Sequence, residues 1–179
     1  MIVAVTGASG FIGGAVCAAA LAQGWTVHAF GRRPRPGRPP AAVPYHRWDI
    51  TAPAAGPMPQ VDAVIHCAGS TAHRGPERAL WAVHMAGTLH VLEAFPEARF
   101  IHVSTAEVYD PFTPTVMAAE SQAPVDRYRN AYGDSKAAAE RLLLSLAPDR
   151  AVILRPHAVY GPGDTTLLPR LLGLVRGRR

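Results

Sequence analysis

The sequence predicts an α/β fold with a doubly wound parallel sheet in three α/β/α layers. Three observations indicate this fold. Short apolar runs of strand length alternate with longer helical stretches, which is typical of parallel sheets with crossover helices. A glycine-rich turn joins the first apolar run to the first helical stretch. With 179 residues, 49% hydrophobic and 17% charged, the chain has the composition of a single globular core.

The individual elements follow from the apolar runs and the residues that end them. The predicted strands are 2–5, 25–30, 43–48, 63–66, 99–104 and 151–154. The predicted helices are 11–23, which Gly24 ends, 77–95, which Pro96 ends, and a stretch within 126–146. Glycine often follows the last helical residue, and proline interrupts a helix because it lacks an amide hydrogen. Strands and helices in this order form right-handed crossovers between parallel strands.

The charge of the chain comes almost entirely from arginine. The net charge is +5, and of the 18 basic residues only Lys136 is a lysine. No basic helix interleaved with aromatic residues is present in the sequence. The charge pattern therefore favours a basic pocket for a cofactor over a surface for nucleic acid.

The sequence carries no sign of targeting, membrane insertion or metal binding. Its longest apolar stretch without charge or proline, roughly 11–22, is shorter than the about 20 residues of a membrane helix. The first ten residues lack the basic segment of a secretory signal. Cys17 and Cys67 fit neither a disulfide framework nor a metal-ligand spacing. We expect a cytoplasmic protein that binds neither metal nor membrane.

The first turn has the chemistry of a phosphate-binding loop. Gly7, Gly10 and Gly13 follow the first strand and open the first helix, in the spacing G-x-x-G-x-x-G. A pyrophosphate needs a tight turn, close approach to the backbone and the partial positive charge of a helix N-terminus. Glycine allows the first two because it has no Cβ. The alternative is a series of glycines that only lets the helix pack closely.

Tyr132 and Lys136 form a Y-x-x-x-K motif on a predicted helix. A spacing of four residues places both side chains on one face, one turn apart. A free tyrosine has a pKa of about 10, too high for acid–base chemistry at neutral pH. A neighbouring ammonium favours the phenolate, so we expect it to lower the pKa of Tyr132. The alternative is an ordinary exposed lysine near a surface tyrosine.

These motifs resemble those of the extended short-chain dehydrogenase/reductase superfamily, in particular its NAD-dependent epimerase/dehydratase-like branch. Matching segments run from Val5 to about Asp164. The resemblance implies a Rossmann-type fold and a nicotinamide dinucleotide at the first turn. The residues implied there are Gly7, Ser9, Gly10, Phe11, Ile12 and Gly13.

The end of the second strand favours NADP, with NAD as the alternative. Members of this branch that use NAD usually carry an acid there, and the corresponding residue is Gly31, followed by Arg32 and Arg33. An acid would repel a 2′-phosphate, whereas a guanidinium can bind it with two hydrogen bonds. The alternative is that these arginines only begin a solvated basic loop.

The resemblance also implies further contacts to the cofactor. A carboxylate and an apolar side chain contact the adenine, small residues let the cofactor backbone pass, and a downstream R-P-x-x-V-Y-G-P-G segment shapes the wall between nicotinamide and substrate. The corresponding residues are Asp49 and Ile50, then Cys67, Ala68 and Gly69, and finally Pro156 and His157. Tyr132 is implied as the general acid and base, and Lys136 as a ligand of the nicotinamide ribose.

The third member of the implied catalytic set is a hydroxyl that polarises the substrate oxygen. Four positions before the Tyr of a Val-Tyr pair, the family carries Ser or Thr, which is Thr105 in this sequence. Its neighbour Ser104 is the alternative. A hydroxyl at the carboxyl end of a strand faces the crevice in which such sheets bind ligands.

Two histidines depart from the family pattern. His84 and His157 stand where relatives usually have asparagine. Each is interpreted as a packed, hydrogen-bonded histidine, with a pH-linked role as the alternative. The change at His157 disfavours a nucleotide-sugar substrate and favours an oxidoreductase acting on a ketone or secondary alcohol.

The sequence therefore predicts a dinucleotide-binding domain over 1–164 and the start of a truncated substrate region over 165–179, with an exposed leucine-rich face. The predicted activity is hydride transfer between nicotinamide and a small-molecule ketone or alcohol. The alternatives are a nucleotide-sugar epimerase or dehydratase that uses NAD transiently, and a non-catalytic NADP-binding sensor or interaction module. Because relatives dimerise through the helices corresponding to 77–95 and 127–146, a homodimer is expected.

Overall fold

Six parallel strands form one sheet in the computed structural model, which describes residues 1–34, 42–71, 76–114, 116–165 and 167–176. The strands are β1 Ile2–Thr6, β2 Thr26–Gly31, β3 Tyr45–Arg47, β4 Ala63–His66, β5 Arg99–Val103 and β6 Ala151–Leu154. Their order in the sheet is β3-β2-β1-β4-β5-β6. The doubly wound parallel sheet predicted from the sequence is confirmed.

The order of the strands reverses between β1 and β4. Val5 pairs with Ala29 of β2 on one side and with Ile65 of β4 on the other. After β1 the chain forms β2 and β3 on one side of that strand, and it then crosses back to form β4, β5 and β6 on the other side. In such sheets the crevice at this reversal, outside the carboxyl ends of the strands, binds ligands.

Helices cover both faces of the sheet. They are α1 Phe11–Ala22, α2 Glu77–Trp81, α3 Gly87–Ala94, α4 Ala131–Leu146 and α5 Leu167–Arg176. One cluster of buried residues surrounds Val64 and Phe100 between the sheet and α3 and α4, and another surrounds Val3 and Val5 beneath α1. Both faces of the central strands are therefore buried, which explains why these strands are almost entirely apolar in sequence.

Most predicted elements agree with those observed to within one residue at each end, and three differ by more. The predicted strand 43–48 is shorter, since β3 spans only Tyr45–Arg47 at the edge of the sheet. The predicted helix 77–95 is interrupted by a π-helical segment, Ala82–Ala86, between α2 and α3. The helix within 126–146 begins at Ala131 because the side chain of Asn130 accepts a hydrogen bond from the Gly133 N–H at 3.0 Å.

The C-terminal helix α5 exposes a leucine-rich surface. Leu171 and Leu172 are half exposed, and Leu174 is 70% exposed. Within the predicted C-terminal region, residue 166 and residues 177–179 lie outside the described part of the chain. Among the described residues no helix is long and apolar enough to cross a membrane.

Candidate active site

The glycine turn packs directly on the end of β4. Gly7 has a φ of +66°, and a Cβ on it would lie 2.7 Å from the Cα of Ala68. A Cβ on Gly13 would lie 2.3 Å from the carbonyl oxygen of Gly7. The first position needs glycine for its dihedral angle and for close approach, and the second needs it because α1 starts against the turn. The backbone at the N-terminus of α1 is thereby left without covering side chains.

A cleft of about 320 Å³ opens at this turn, at the reversal between β1 and β4. It brings together residues from the ends of β1, β2 and β4 and from the loop after β3. Its lining includes ten of the predicted cofactor residues: Gly7, Ser9, Gly10, Arg32, Arg33, Asp49, Ile50, Cys67, Ala68 and Gly69. These residues come from four separate segments of the sequence, so their convergence is a property of the fold.

The other predicted cofactor residues of the turn, of α1 and of the segment after β6 do not line this cleft. Gly13 supports the turn from beneath, and Phe11 is the first residue of α1. Ile12 and Pro156 line a separate apolar groove over the ends of β5 and β6. His157 is exposed and lines a third cavity, which also contains Thr105.

A side chain at Gly31, at the end of β2, would have to displace the Tyr45 hydroxyl. A Cβ on Gly31 would lie 2.6 Å from the Tyr45 hydroxyl and 3.1 Å from the Ser9 hydroxyl. Tyr45 is fixed there because its hydroxyl donates to the carbonyl oxygen of Arg33 at 2.8 Å. Arg33 in turn donates to the carbonyl oxygen of Ser9 at 3.5 Å. Two guanidinium groups thus border the cleft where a carboxylate would otherwise stand.

The loop after β3 forms another wall of the cleft. Ile50 is buried, and a Cβ on Gly87 would lie 2.6 Å from its Cδ1, so a glycine in the helix makes room for this side chain. One carboxylate oxygen of Asp49 accepts from the backbone N–H and the hydroxyl of Thr51, at 3.1 and 2.9 Å. This turn holds Asp49 at the surface of the cleft.

Lys136 reaches from α4 to the cleft. Its side chain is almost fully buried, and its Nζ donates to the carbonyl oxygen of Val103 at 2.8 Å. A Cβ on Gly69 would lie 3.5 Å from this Nζ, so the ammonium stands directly behind the cleft wall. Burial lowers the pKa of Lys136 to about 8, since the charged form loses its hydration.

Tyr132 stands one helical turn away, beside Thr105. Burial raises the pKa of Tyr132, and the carboxylate of Glu107 raises it further, whereas a hydrogen bond with the Thr105 hydroxyl opposes the rise. The direction is opposite to the lowering expected from the sequence. The physical reason is that desolvation of the phenolate is the largest effect here, while the Lys136 ammonium is directed to the β5 backbone.

The structure separates the two candidate hydroxyls after β5. Ser104 donates to the carboxylate of Glu140, which is fully buried. Thr105 contacts Tyr132 and accepts from the Glu107 N–H at 3.2 Å. Thr105 also lines the third cavity, of about 610 Å³, together with Glu107 and Asn130. The hydroxyl that borders an open cavity is therefore that of Thr105.

Sequence reasoning missed the buried carboxylate of Glu140. It accepts from the Arg155 Nη2 at 2.7 Å, and Arg155 also donates to the Tyr109 hydroxyl and to the carbonyl oxygens of Glu120 and Ala123. A signal was present in the sequence, because Glu140 lies four residues after Lys136 on the same helix face. An acid on a face that also carries Tyr132 and Lys136 indicates a buried polar network.

A parallel sheet with a cleft at the reversal of its strand order, and a glycine turn at a helix N-terminus in that cleft, define a Rossmann-type nucleotide-binding domain. The sequence model of the NAD dependent epimerase/dehydratase family matches residues 3–177. The chain belongs to this family.

Two relatives are similar over almost the whole chain. A 4-hydroxy-2-methyl-3-oxo-4-farnesyl-3,4-dihydroquinoline-1-oxide ketoreductase of Stigmatella aurantiaca is 30% identical over 98% of this chain and 55% of its own length. A 2-alkyl-3-oxoalkanoate reductase of Stenotrophomonas maltophilia is 31% identical over 100% of this chain and 57% of its own length. The chain therefore spans about half the length of the curated relatives it matches.

A solved structure shares the fold. The UDP-glucose 4-epimerase of Thermus thermophilus, in complex with NAD, superposes with a TM-score of 0.77 at 26% identity. The match covers 93% of this chain and 58% of the epimerase chain.

Proposed function

We propose that the protein is an NADP(H)-dependent oxidoreductase that transfers a hydride between nicotinamide and a ketone or secondary alcohol. In this proposal Tyr132 exchanges a proton with the substrate oxygen, Thr105 polarises that oxygen, and Lys136 orients the cofactor and favours the phenolate. Bound NADP(H) would supply the hydride at C4 of its nicotinamide ring. The glycine turn fits such a group, because Gly7 and Gly10 line the cleft at the N-terminus of α1, where backbone N–H groups favour a phosphate.

The observation that carries the proposal is the position of the Tyr-Lys pair between two cavities. Lys136 Nζ stands behind Gly69, which lines the cleft at the glycine turn. Tyr132, one turn before it, contacts Thr105, which lines the third cavity, of about 610 Å³. In this proposal the cofactor occupies the cleft at the glycine turn, the substrate occupies the third cavity, and the two meet beside the phenol. This is the arrangement that proton transfer coupled to hydride transfer requires.

The raised pKa of Tyr132 suits the direction of ketone reduction. A phenol that stays protonated at neutral pH can donate its proton to the developing alkoxide. For alcohol oxidation the phenolate is needed, and the positive charge of an oxidised nicotinamide together with Lys136 would favour it.

A basic rim at the cleft supports NADP over NAD. Gly31 stands in place of the acid that would bind ribose hydroxyls and repel a phosphate, and Arg32 and Arg33 line the cleft beside it. Two guanidinium groups can bind a 2′-phosphate with charge-assisted hydrogen bonds.

A keto substrate is favoured by the two relatives described above, whose names state a ketoreductase and a 3-oxoalkanoate reductase. The second candidate is a nucleotide-sugar epimerase, which the NAD complex of the Thermus enzyme supports. The two differ in stoichiometry, since a reductase consumes one NADPH per product and an epimerase regenerates its cofactor in each cycle. A homodimer and a substrate region following residue 164 are part of the same proposal.

The test combines cofactor binding with turnover. NADPH and NADH are titrated by calorimetry, and NADPH oxidation is followed with ethyl 2-methyl-3-oxobutanoate, a simple 2-alkyl-3-oxo ester. We expect Tyr132→Phe to lower kcat by about 10²–10⁴-fold, as loss of a general acid does, and to leave NADPH affinity unchanged. Ser145→Ala, which removes an exposed hydroxyl near the C-terminal end of the same helix, is the control and should retain activity.

Three outcomes would contradict the proposal. Absence of binding to either dinucleotide would exclude the cofactor, and binding without turnover of ketone or alcohol would favour a sensor module. Turnover of a UDP-sugar without net NADPH consumption would favour the epimerase.

A further inference from the structure

His84 lies in the π-helical segment Ala82–Ala86 and is almost completely buried. Both of its ring nitrogens are hydrogen-bonded. Nε2 accepts from the backbone N–H of Ser70 at 3.1 Å, and Nδ1 lies 2.8 Å from the hydroxyl of Ser135. A π-helical segment inserted into an α-helix is frequent at functional sites, because the extra residue redirects a side chain.

The contacts determine the tautomer of His84. A backbone N–H can only donate, so Nε2 carries no proton and Nδ1 carries the one proton of the neutral ring. Nδ1–H therefore donates to the Ser135 hydroxyl. That hydroxyl donates onward to the carbonyl oxygen of Tyr132 at 3.1 Å. The chain of donors runs in one direction, from Ser70 N–H to His84, Ser135 and Tyr132.

This chain of hydrogen bonds joins the two halves of the site. Ser70 follows Gly69 in the loop after β4 and lines the nucleotide cleft. Ser135 lies between Tyr132 and Lys136 on α4. The His84 ring also packs edge-on against the Tyr132 ring, with centroids 5.6 Å apart. A Cβ on Gly69 would lie 3.6 Å from His84 Nε2, so the imidazole stands immediately behind the cleft wall.

We propose that His84 is a positioning residue that couples the wall of the cofactor cleft to the acid–base helix. Its acceptor nitrogen fixes the loop at Ser70, and its donor nitrogen fixes the turn of α4 that presents Tyr132. The inference rests on the proposed function of this site. It assigns a role to the position where the resemblance led us to expect asparagine, whose single amide group is too short to make both contacts in this way.

The coupling acts through a neutral ring of fixed orientation. Burial and the nearby Lys136 ammonium lower the pKa of His84 to about 3, so the imidazole stays neutral at physiological pH. A protonated Nε2 could not accept from Ser70. His84 is thus a rigid connection and not a pH switch in the neutral range.

Two substitutions separate the two contacts. The amide of glutamine extends to about the place of Nε2, so His84→Gln keeps an acceptor for Ser70 and loses the donor to Ser135. The amide of asparagine reaches only to about Nδ1, so His84→Asn keeps a donor for Ser135 and loses the acceptor for Ser70. We expect His84→Gln to lower kcat about tenfold with NADPH affinity retained, and His84→Asn to weaken NADPH binding about tenfold with kcat retained, each the effect of about one hydrogen bond.

The control removes a comparable bond elsewhere. Thr88→Val deletes the hydroxyl that lies 3.1 Å from His66 Nε2. This contact, too, joins a buried histidine to a hydroxyl, and Thr88 lies in α3, which follows the π-helical segment. Thr88→Val should change neither kcat nor NADPH affinity. Ser135→Ala should reproduce the effect of His84→Gln, and the double variant should show no additional loss, because both changes break the same connection.

A second readout does not depend on turnover. The ¹³Cζ resonance of Tyr132 in ¹³C-tyrosine-labelled protein, assigned with Tyr132→Phe, should move in His84→Gln and Ser135→Ala and stay in place in Thr88→Val. Circular dichroism verifies the folded state of each variant. The inference would be overturned if His84→Gln and His84→Asn had equal effects on kcat and on NADPH affinity. It would also be overturned if the Tyr132 resonance did not move in His84→Gln. If the wild-type protein binds no dinucleotide, the proposed function fails, whereas the resonance still tests the connection from His84 to Tyr132.

Discussion

At the scale of single residues, Gly31, Arg32 and Arg33 line the part of the cleft on which the proposed preference for NADP(H) rests. A side chain at Gly31 would displace the Tyr45 hydroxyl from its bond to the Arg33 carbonyl oxygen. An acidic residue there would therefore also move the loop that carries the arginines. The proposed cofactor preference would thus depend both on the absence of a side chain at Gly31 and on its two basic neighbours.

Replacing both arginines by serine should reduce the preference for NADPH. We expect the double variant Arg32→Ser/Arg33→Ser to weaken NADPH binding by about 10–100-fold, since charge-assisted hydrogen bonds to the 2′-phosphate are lost. NADH affinity should change by less than about threefold on the same grounds. Calorimetric titration of both dinucleotides measures the difference.

A matched control is Arg99→Ser, which removes an exposed arginine at the opposite end of the sheet. It should leave both affinities unchanged. Equal weakening of NADPH and NADH in the double variant would mean that the arginines contact a group common to both, such as the pyrophosphate.

At the scale of elements, Arg155 connects β6, α4 and the loop before α4. All three of its nitrogens donate, to Glu140, to the Tyr109 hydroxyl and to two backbone carbonyl oxygens. Its partner Glu140 is fully buried, so the pair is shielded from water. The loss of one member leaves the other charged group buried without compensation.

Arg155→Met should destabilise the protein by about 3–5 kcal/mol, because the Glu140 carboxylate loses its counter-charge in the interior. Urea unfolding followed by circular dichroism measures the change. Arg141→Met, one residue after Glu140, breaks an ion pair whose partner Asp126 is fully exposed, and its effect should be much smaller. Similar midpoints for the two variants would show that the Arg155–Glu140 pair contributes nothing beyond an exposed pair.

The elements show which parts of the structure could be read from the sequence. The central strands and α1 were predictable because apolar runs ending in glycine have few other interpretations, as at Gly24. The convergence of the glycine turn with Lys136 followed from a recognisable motif. The π-helical segment was not predictable, because it preserves the apolar periodicity of a helix and is distinguished only by its packing. The direction of the Tyr132 pKa was also missed, since burial is a property of the assembled fold.

At the scale of the whole molecule, three buried histidines make folding sensitive to acid. The pKa of His66 and that of His84 are each lowered from 6.5 to about 3, and that of His102 lies well below 6.5, with burial as the largest cause in each case. Below pH 6.5 the unfolded chain binds protons that the folded protein does not. Stability is therefore complete above pH 6.5 and falls as the pH decreases towards 3.

We expect the free energy of unfolding to decrease by up to about 1.4 kcal/mol per pH unit for each of these histidines below pH 6. Urea midpoints measured between pH 7.5 and 5 test this. His102→Met should reduce the pH dependence of the free energy of unfolding by the contribution of one histidine. It should cost little at pH 7.5, because among the described residues neither ring nitrogen of His102 has a hydrogen-bond partner. An unchanged slope in this variant would show that His102 is already protonated in the folded protein.

The flank of the sheet at β6 has a consequence for handling the protein. In the part of the chain that the structure describes, β6 pairs with β5 alone, and Leu154 at its end is half exposed. The outer side of this strand lies beside an apolar groove of about 870 Å³, which Ala151, Ile153 and Leu154 help to line. Such an edge is a template for strands of other molecules, so heated or concentrated samples should form β-rich aggregates before the central strands unfold.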